Sequence, residues 1–192
     1  MEIHLIRHGE TEWSANGRHT SVTDLDLTDR GVEQAKSLRG HLDIAAADLI
    51  LCSPRLRARR TATLAGVAED RLEVTEDLAE WAYGDYEGLT SDTIRETDPE
   101  WTIWAGHTPG GETADQVSAR LKRLIGTLRE REVETVFCFA HGHSLRALTL
   151  TWLGLDLAVG ERFPLDTGSV SVLGDHKDEQ ALLSWNVSVS DR

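Results

Sequence analysis

Two histidines in this chain each end a short apolar run, and each is followed by a glycine. Ile3 to Ile6 lead into Arg7-His8-Gly9-Glu10-Thr11, and Phe137-Cys138-Phe139-Ala140 lead into His141-Gly142. A neutral imidazole is a competent nucleophile toward phosphorus, and a fixed cation beside it, Arg7, suits the oxygens of a phosphoryl group. Between the two histidines lies Ser53-Pro54-Arg55-Leu56-Arg57-Ala58, directly after the apolar Leu49 to Leu51. It reads as a helix start, with Ser53 as cap and Pro54 in the first turn, and it delivers a second cation, Arg57. A nucleophilic histidine, a second histidine and two guanidiniums suit phosphoryl transfer, where catalysis is mostly positioning plus stabilisation of charge on the equatorial oxygens.

Elements of alternating type must bring these residues together. Strand-like runs are Glu2 to Ile6, Asp48 to Cys52, Glu73 to Thr75, Thr135 to Ala140, Ser169 to Leu173 and Ala181 to Val187. Helical spacing fills most of the gaps. Thr28 caps a helix whose apolar face is Val32, Ala35, Leu38 and Leu42, and Val117, Leu121, Leu124, Ile125 and Leu128 give the clearest helical stripe. Strands alternating with crossover helices predict an α/β fold, a three-layer α/β/α sandwich around a mostly parallel central sheet. Ligands of such sheets bind beyond the carboxyl ends of the strands, which is where His8, Arg57 and His141 fall. No repeat or linker divides residues 1–192, so one domain is expected.

The ordered set of short motifs resembles the histidine phosphatase superfamily, the phosphoglycerate mutase-like proteins. The pieces are Leu5-Ile6-Arg7-His8-Gly9-Glu10-Thr11, Leu27-Thr28-Asp29-Arg30-Gly31 with Gln34-Ala35, and Ser53-Pro54 with Arg57-Ala58 and Thr61-Ala62. Then follow Leu78-Ala79-Glu80-Trp81 with Tyr83-Gly84, Tyr86-Glu87-Gly88, Pro109-Gly110-Gly111-Glu112, and Ala140-His141-Gly142 with Ser144-Leu145-Arg146. A lone Arg-His-Gly is weak, whereas the ordered series is specific.

The resemblance implies a role for each residue. His8 is the nucleophile that forms a phosphohistidine, with its other ring nitrogen held protonated by a backbone carbonyl. Arg7, Arg57 and a protonated or donating His141 hold the phosphoryl oxygens, and Gly142 and Thr20 complete the phosphate contacts. Glu80 is the acid for the leaving oxygen, on a loop between aromatic residues whose packing would raise its pKa; Glu87 is the next candidate. Trp81, Tyr83, Tyr86, Trp101 and Trp104 stand where the family builds its variable cap, so one or more of them is expected to line the pocket. His4, His19, His41, His107 and His176 are read as ordinary core or surface residues.

Three rival motifs fail on context. Asp24-Leu25-Asp26-Leu27-Thr28 spells the aspartate-nucleophile signature of Mg2+-dependent phosphatases, but the preceding Arg18 to Thr23 are too polar for the strand it needs, and Thr28 suits a helix cap. The cysteine phosphatase loop needs about five residues between cysteine and arginine; Cys52 and Arg57 have four, and Cys138 meets Ser144 instead. His141-Gly142-His143 is accompanied by no carboxylate or cysteine cluster, so no metal and no cofactor is expected.

With 20 basic and 33 acidic residues the formal net charge is -13, which disfavours nucleic acid and anionic membranes as partners. A small phosphorylated metabolite is the expected partner, drawn by the local charge of Arg7 and Arg57, and a homodimer is left open. The chain starts directly in a strand-like run with no basic-then-apolar leader, and a cytoplasmic protein is expected. Cys52 and Cys138 sit in apolar runs and are read as buried free thiols. Where the mutase branch has asparagine this chain has Ser14 and His143, and the span from Trp81 to Pro109 is too short for the mutases' longer insertion. Acid phosphatase-like hydrolysis of small phosphomonoesters, with an acidic optimum, is therefore expected; a cofactor-dependent phosphoglycerate mutase and a non-catalytic phospholigand-binding module are the alternatives.

Overall fold

The computed structural model describes residues 1–105 and 107–189. Six strands form one sheet in the order β3-β2-β4-β1-β5-β6: β1 (Glu2–Arg7), β2 (Leu49–Cys52), β3 (Leu72–Val74), β4 (Thr135–Ala140), β5 (Ser169–His176) and β6 (Glu179–Ser188). The first four strands run parallel, whereas β5 and β6 add an antiparallel edge. The two edge strands join through Lys177 and Asp178, both at positive φ, as a two-residue hairpin turn of matching twist requires. The mostly parallel sheet and its six strands agree with the sequence reading, the edges shifting by a few residues.

The helices are α1 (Glu12–Ala15), α2 (Asp29–Ser37), α3 (Leu56–Leu64), α4 (Ser91–Arg95), α5 (Ala114–Glu130) and α6 (Gly142–Trp152). Period-two alternation along the strands divides the core into two layers. Ile3, Leu5, Val136, Cys138 and Ala140 face α5 and α6, whose Val117, Leu121, Leu128, Leu145 and Leu148 are buried against them. Ile6, Ile50, Cys52, Phe137 and Phe139 face the other way, onto Leu38 beyond the end of α2 and Ala58 and Ala62 of α3. Thr28 caps α2 as expected, its Oγ1 accepting from the Gly31 N–H at 3.1 Å, and Thr113 with Gln116 forms a reciprocal capping box at the start of α5.

Ser53 does not cap α3. Arg55 is the capping residue and uses no side-chain bond, while Asp24 Oδ1 accepts the Leu56 N–H at 2.7 Å. The Ser53 hydroxyl is instead within 2.7 Å of His141 Nε2 and accepts the Arg55 N–H at 3.3 Å.

Strand register sets the active corner. Arg7 pairs with Ala140, so the next residues, His8 and His141, leave adjacent parallel strands side by side. The connections of β1 and β4 then depart to opposite sides of the sheet, toward β2 and β5, and the crevice opens at that switch point.

Candidate active site

His8 is 5 % exposed, and its Nδ1 lies 2.7 Å from the Gly9 carbonyl oxygen. Only a protonated Nδ1 can donate to that acceptor, which leaves the lone pair on Nε2. Burial, and then the positive charges of Arg57 and Arg7, hold the His8 pKa well below the usual imidazole value, so the ring is neutral and nucleophilic. Gly9 itself lies against Gly31 of α2, where an added Cβ would stand 2.3 Å from the Gly31 carbonyl oxygen; only glycine lets the two backbones approach this closely.

A cleft of about 170 Å³ opens over His8, and Arg7, Thr20, Glu80 and Gly142 line it with Ser14, Arg18, His19, Tyr83, His143 and Arg146. Arg7 lies across the start of α6, with its Cζ 3.3 Å from where a Cβ on Gly142 would be, so glycine there leaves room for the guanidinium. Its Nη1 donates to the Leu165 carbonyl, and its buried Nε has no hydrogen-bond partner among the described residues, a donor free for an oxyanion.

Arg57 and His141 form a layer behind His8 and do not line the cleft. The two imidazoles stand edge to face, 5.1 Å between centroids. Arg57 Nε donates to His141 Nδ1 at 3.1 Å, so the His141 proton sits on Nε2 and goes to Ser53 Oγ. Burial first, then Arg57, hold His141 far below the usual pKa, so it is neutral, not the imidazolium that one branch of the sequence reading allowed. The rest of the Arg57 guanidinium donates to the carbonyls of Thr23, Thr20 and Ser21. Arg57 therefore shapes the loop from Arg18 to Thr23 that carries Thr20 into the cleft.

Glu80 is 7 % exposed, and its carboxylate sits at the N-terminus of α6. Oε1 accepts N–H bonds from Trp81 at 2.9 Å and Ser144 at 2.7 Å, and Oε2 accepts one from His143 at 3.0 Å. This is anion capping by a helix start, with a side chain in the place of a ligand. The Pro109-Gly110-Gly111-Glu112 motif holds the Glu80 loop from behind: Ala82 and Glu112 exchange bonds, and Glu112 pairs with the buried Arg120 at 2.8 Å. Glu87, the reserve acid, is absent from the cleft. It accepts the N–H groups of Ser21 and Thr23 and the Ser21 hydroxyl, which lowers its pKa against the opposing effect of burial and ties it to the loop.

Several lining residues were missed or read as ordinary. His19 was taken for a core or surface residue but is 8 % exposed on the cleft wall, with a pKa lowered to about 4, mainly by burial. Tyr83 joins the cleft, and its hydroxyl lies 2.6 Å from His143 Nδ1. Trp104 packs against His143 from the other side. Arg146 follows His143 by three residues, at helical spacing, a signal present in the motif His141 to Arg146 that had been used only for recognition. Among the described residues no group of three or more His, Cys, Asp or Glu side chains is arranged to hold a metal ion, and no helix is long and apolar enough to cross a membrane.

Residues 3–188 match the histidine phosphatase superfamily (branch 1). The chain belongs to that superfamily. An acid phosphatase of Mycobacterium tuberculosis is 43 % identical over 88 % of this chain and 84 % of its own length. Phosphoserine phosphatase 1 of Hydrogenobacter thermophilus is 30 % identical over 98 % of this chain and 93 % of its own. A solved structure of an open reading frame product from Mycobacterium tuberculosis superposes with a TM-score of 0.92 at 38 % identity, covering 98 % of each chain. The fold is thus the α/β fold of phosphoglycerate mutase-like proteins, and the enzyme class is phosphatase.

Proposed function

We propose that this protein hydrolyses small phosphomonoesters through a phosphohistidine on His8, without a metal, and works best on the acid side of neutrality. The observation that carries the reading is the tautomer lock: Nδ1–H is committed to the Gly9 carbonyl, and the basic Nε2 belongs to a buried neutral ring on the cleft floor.

In the first step Nε2 attacks phosphorus, the bond from phosphorus to the leaving oxygen breaks, and that oxygen takes a proton from Glu80. Oε2 is the atom able to carry this proton, since it accepts one N–H while Oε1 accepts two. In the second step water attacks phosphorus, the P–N bond breaks, and the water proton goes to the Glu80 carboxylate, releasing phosphate and restoring His8. Arg7 Nε and the Gly142 end of α6 meet the phosphoryl oxygens. Arg57 acts from behind by charge and by shaping the Thr20 loop; direct contact requires its Nη2 to exchange the Thr20 and Ser21 carbonyls for a phosphoryl oxygen. Because burial keeps His8 and His141 neutral well below the usual imidazole pKa, the nucleophile survives mild acid.

Hydrolysis is preferred to phosphate return because Ser14 and His143, in place of the mutase asparagines, line the cleft, and among the described residues between Trp81 and Pro109 the only α-helix is the short α4. A small phosphorylated metabolite is the partner in this reading, with neither nucleic acid nor membrane, and the acidic net charge and buried thiols support a cytoplasmic setting. Light scattering would read whether the chain pairs as a homodimer. The test of the reaction is turnover of nitrophenyl phosphate in EDTA, with alkali-stable, acid-labile phosphate trapped on the protein. Activity lost in EDTA and restored by Mg2+ would overturn it.

A further inference from the structure

The antiparallel edge of the sheet is interrupted at one point. Between the pairs of Val170 with Val187 and Val172 with Ser184, the buried Ser171 alone faces two residues of β6, Trp185 and Asn186. This is a bulge, an extra residue in one strand that gives up a rung of the ladder and re-aims the side chains beside it. Asn186 sits there at φ 53°, in the left-handed region that glycine and asparagine enter most readily. Its N–H donates to Ser171 Oγ at 2.9 Å, a side chain in the place of a strand carbonyl.

Both residues of the bulge reach the loop that precedes β5. Asn186 Oδ1 accepts the Asp166 N–H at 2.7 Å, and its Nδ2 donates to the Asp166 carboxylate at 2.8 Å. Trp185 Nε1 donates to the Pro164 carbonyl at 2.7 Å, with its ring packed edge to face on Phe163. Leu165, between the two held residues, is 5 % exposed, and its carbonyl accepts the Nη1 bond of Arg7. Farther along the same loop the Gly168 N–H donates to the carbonyls of Arg7 and His8, each at 3.1 Å. The loop therefore holds the catalytic strand end twice, by the guanidinium of Arg7 and by the backbone of the nucleophile. Burial lowers the Arg7 pKa, and the charges of Glu80, Tyr83 and Asp166 oppose it, so the clasped Asp166 also acts on the cation.

We infer that Asn186 is a positioning residue for Arg7: its amide clasps Asp166 and so fixes the Leu165 carbonyl that orients the guanidinium, leaving Nε aimed at a phosphoryl oxygen. The inference rests on the phosphatase reading, which puts the phosphoryl group at Arg7. A planar fork anchored at one nitrogen presents its other donors in a fixed direction, but only as fixed as the carbonyl that anchors it. An uncommon backbone conformation persists where its surroundings over-determine it, and here the residue that adopts it delivers two bonds to a site loop in exchange for a rung of the sheet.

The experiment uses Asn186→Gly, which keeps the left-handed backbone and removes the amide, and Trp185→Phe, which keeps the ring packing and removes the Nε1 donor to the same loop. Each is made in the wild type and in an Arg7→Lys background, whose compact ammonium has no fork to orient. The readouts are kcat and KM on nitrophenyl phosphate and the affinity for inorganic phosphate by calorimetry, at a temperature where circular dichroism shows every variant folded. In the wild-type background Asn186→Gly should lower kcat/KM by about tenfold or more and weaken phosphate by about threefold or more, with Trp185→Phe changing both in the same direction by less. In the Arg7→Lys background the same two substitutions should change either quantity by less than about twofold. Asn186→Gly within about twofold of the wild type in both quantities would overturn the inference. So would equal fold losses in the two backgrounds, which would make the bulge a feature of the fold alone. If Asn186→Gly does not fold, Trp185→Phe decides by the same comparison. Failure of the wild type on nitrophenyl phosphate would count against the phosphatase reading, and the phosphate affinities would still decide whether the clasp acts through Arg7.

Discussion

Acidification should unfold this enzyme sooner than its carboxylates alone would dictate. His8, His19, His141 and His143 all have pKa values lowered by burial in the fold, His19 to about 4 and the other three well below the usual imidazole value. Each stays neutral when folded and takes up a proton on unfolding once the pH falls below about 6.5, so the unfolded state binds more protons and stability falls with pH. For one such group the loss between pH 7 and pH 5.5 is of order 1 kcal/mol, and the four together lose several kcal/mol. That is a large part of the stability of an ordinary domain, of order 5–15 kcal/mol. Glu87 and Glu73, with lowered pKa values, add their own loss only in a more acid window, below the usual carboxylate pKa. The assay is urea unfolding at a series of pH values from 7 to 5.5, read by tryptophan fluorescence at constant ionic strength. The midpoint should fall steadily across that range, and His143→Gln should remove about a quarter of the slope. A midpoint independent of pH between 7 and 5.5 would mean that these imidazoles are charged in the fold, and the neutral nucleophile would go with them.

Three further outcomes are expected. His8→Ala should abolish turnover and phosphate trapping while the thermal midpoint stays within a few degrees, since the ring donates only to the adjacent Gly9 carbonyl; residual turnover above about one per cent would refute the covalent step. Glu80→Gln should slow hydrolysis of an alkyl phosphate by about 10²–10⁴ and of nitrophenyl phosphate, whose leaving group needs no proton, by roughly tenfold or less; equal losses would leave Glu80 only the capping of α6. Glu87→Gln should cost about 1–3 kcal/mol in chemical unfolding, because the Ser21 and Thr23 N–H groups lose an ionised acceptor, and should raise KM by loosening the Thr20 loop; an unchanged midpoint and KM would separate the loop from the site.

The strands and the histidines at their ends were legible because each rests on local pattern: an apolar run of four to six residues stopped by a polar motif. Long-range hydrogen bonding was not legible. Nothing near Ser53 says that its hydroxyl leaves the helix cap for His141, 88 positions away, or that Asp24 takes over the cap of Leu56. The same is true of Arg57, whose type and position were recognised but whose guanidinium is turned onto the carbonyls of Thr20, Ser21 and Thr23. His19 went unrecognised because it lies in a polar loop with no periodicity, and only pairing of that loop with residues 88–90 brings it to the cleft. Arg146 had a readable signal, its spacing from His143 along α6, but spacing cannot say that its guanidinium lies over the Trp104 ring.

The two cysteines, on opposite faces of the sheet, have a practical consequence. Cys52 lies among the residues facing α3 and Cys138 among those facing α5, and burial pushes the Cys52 thiol up to about 12 and that of Cys138 higher still. Alkylating reagents act on the thiolate, so neither sulfur can react until its own layer has come away from the strands. The pair is a built-in clock with two hands: if labelling of Cys52 and Cys138 keeps a common rate, both layers open in one event, and if Cys52 runs ahead, the α2–α3 side peels away first.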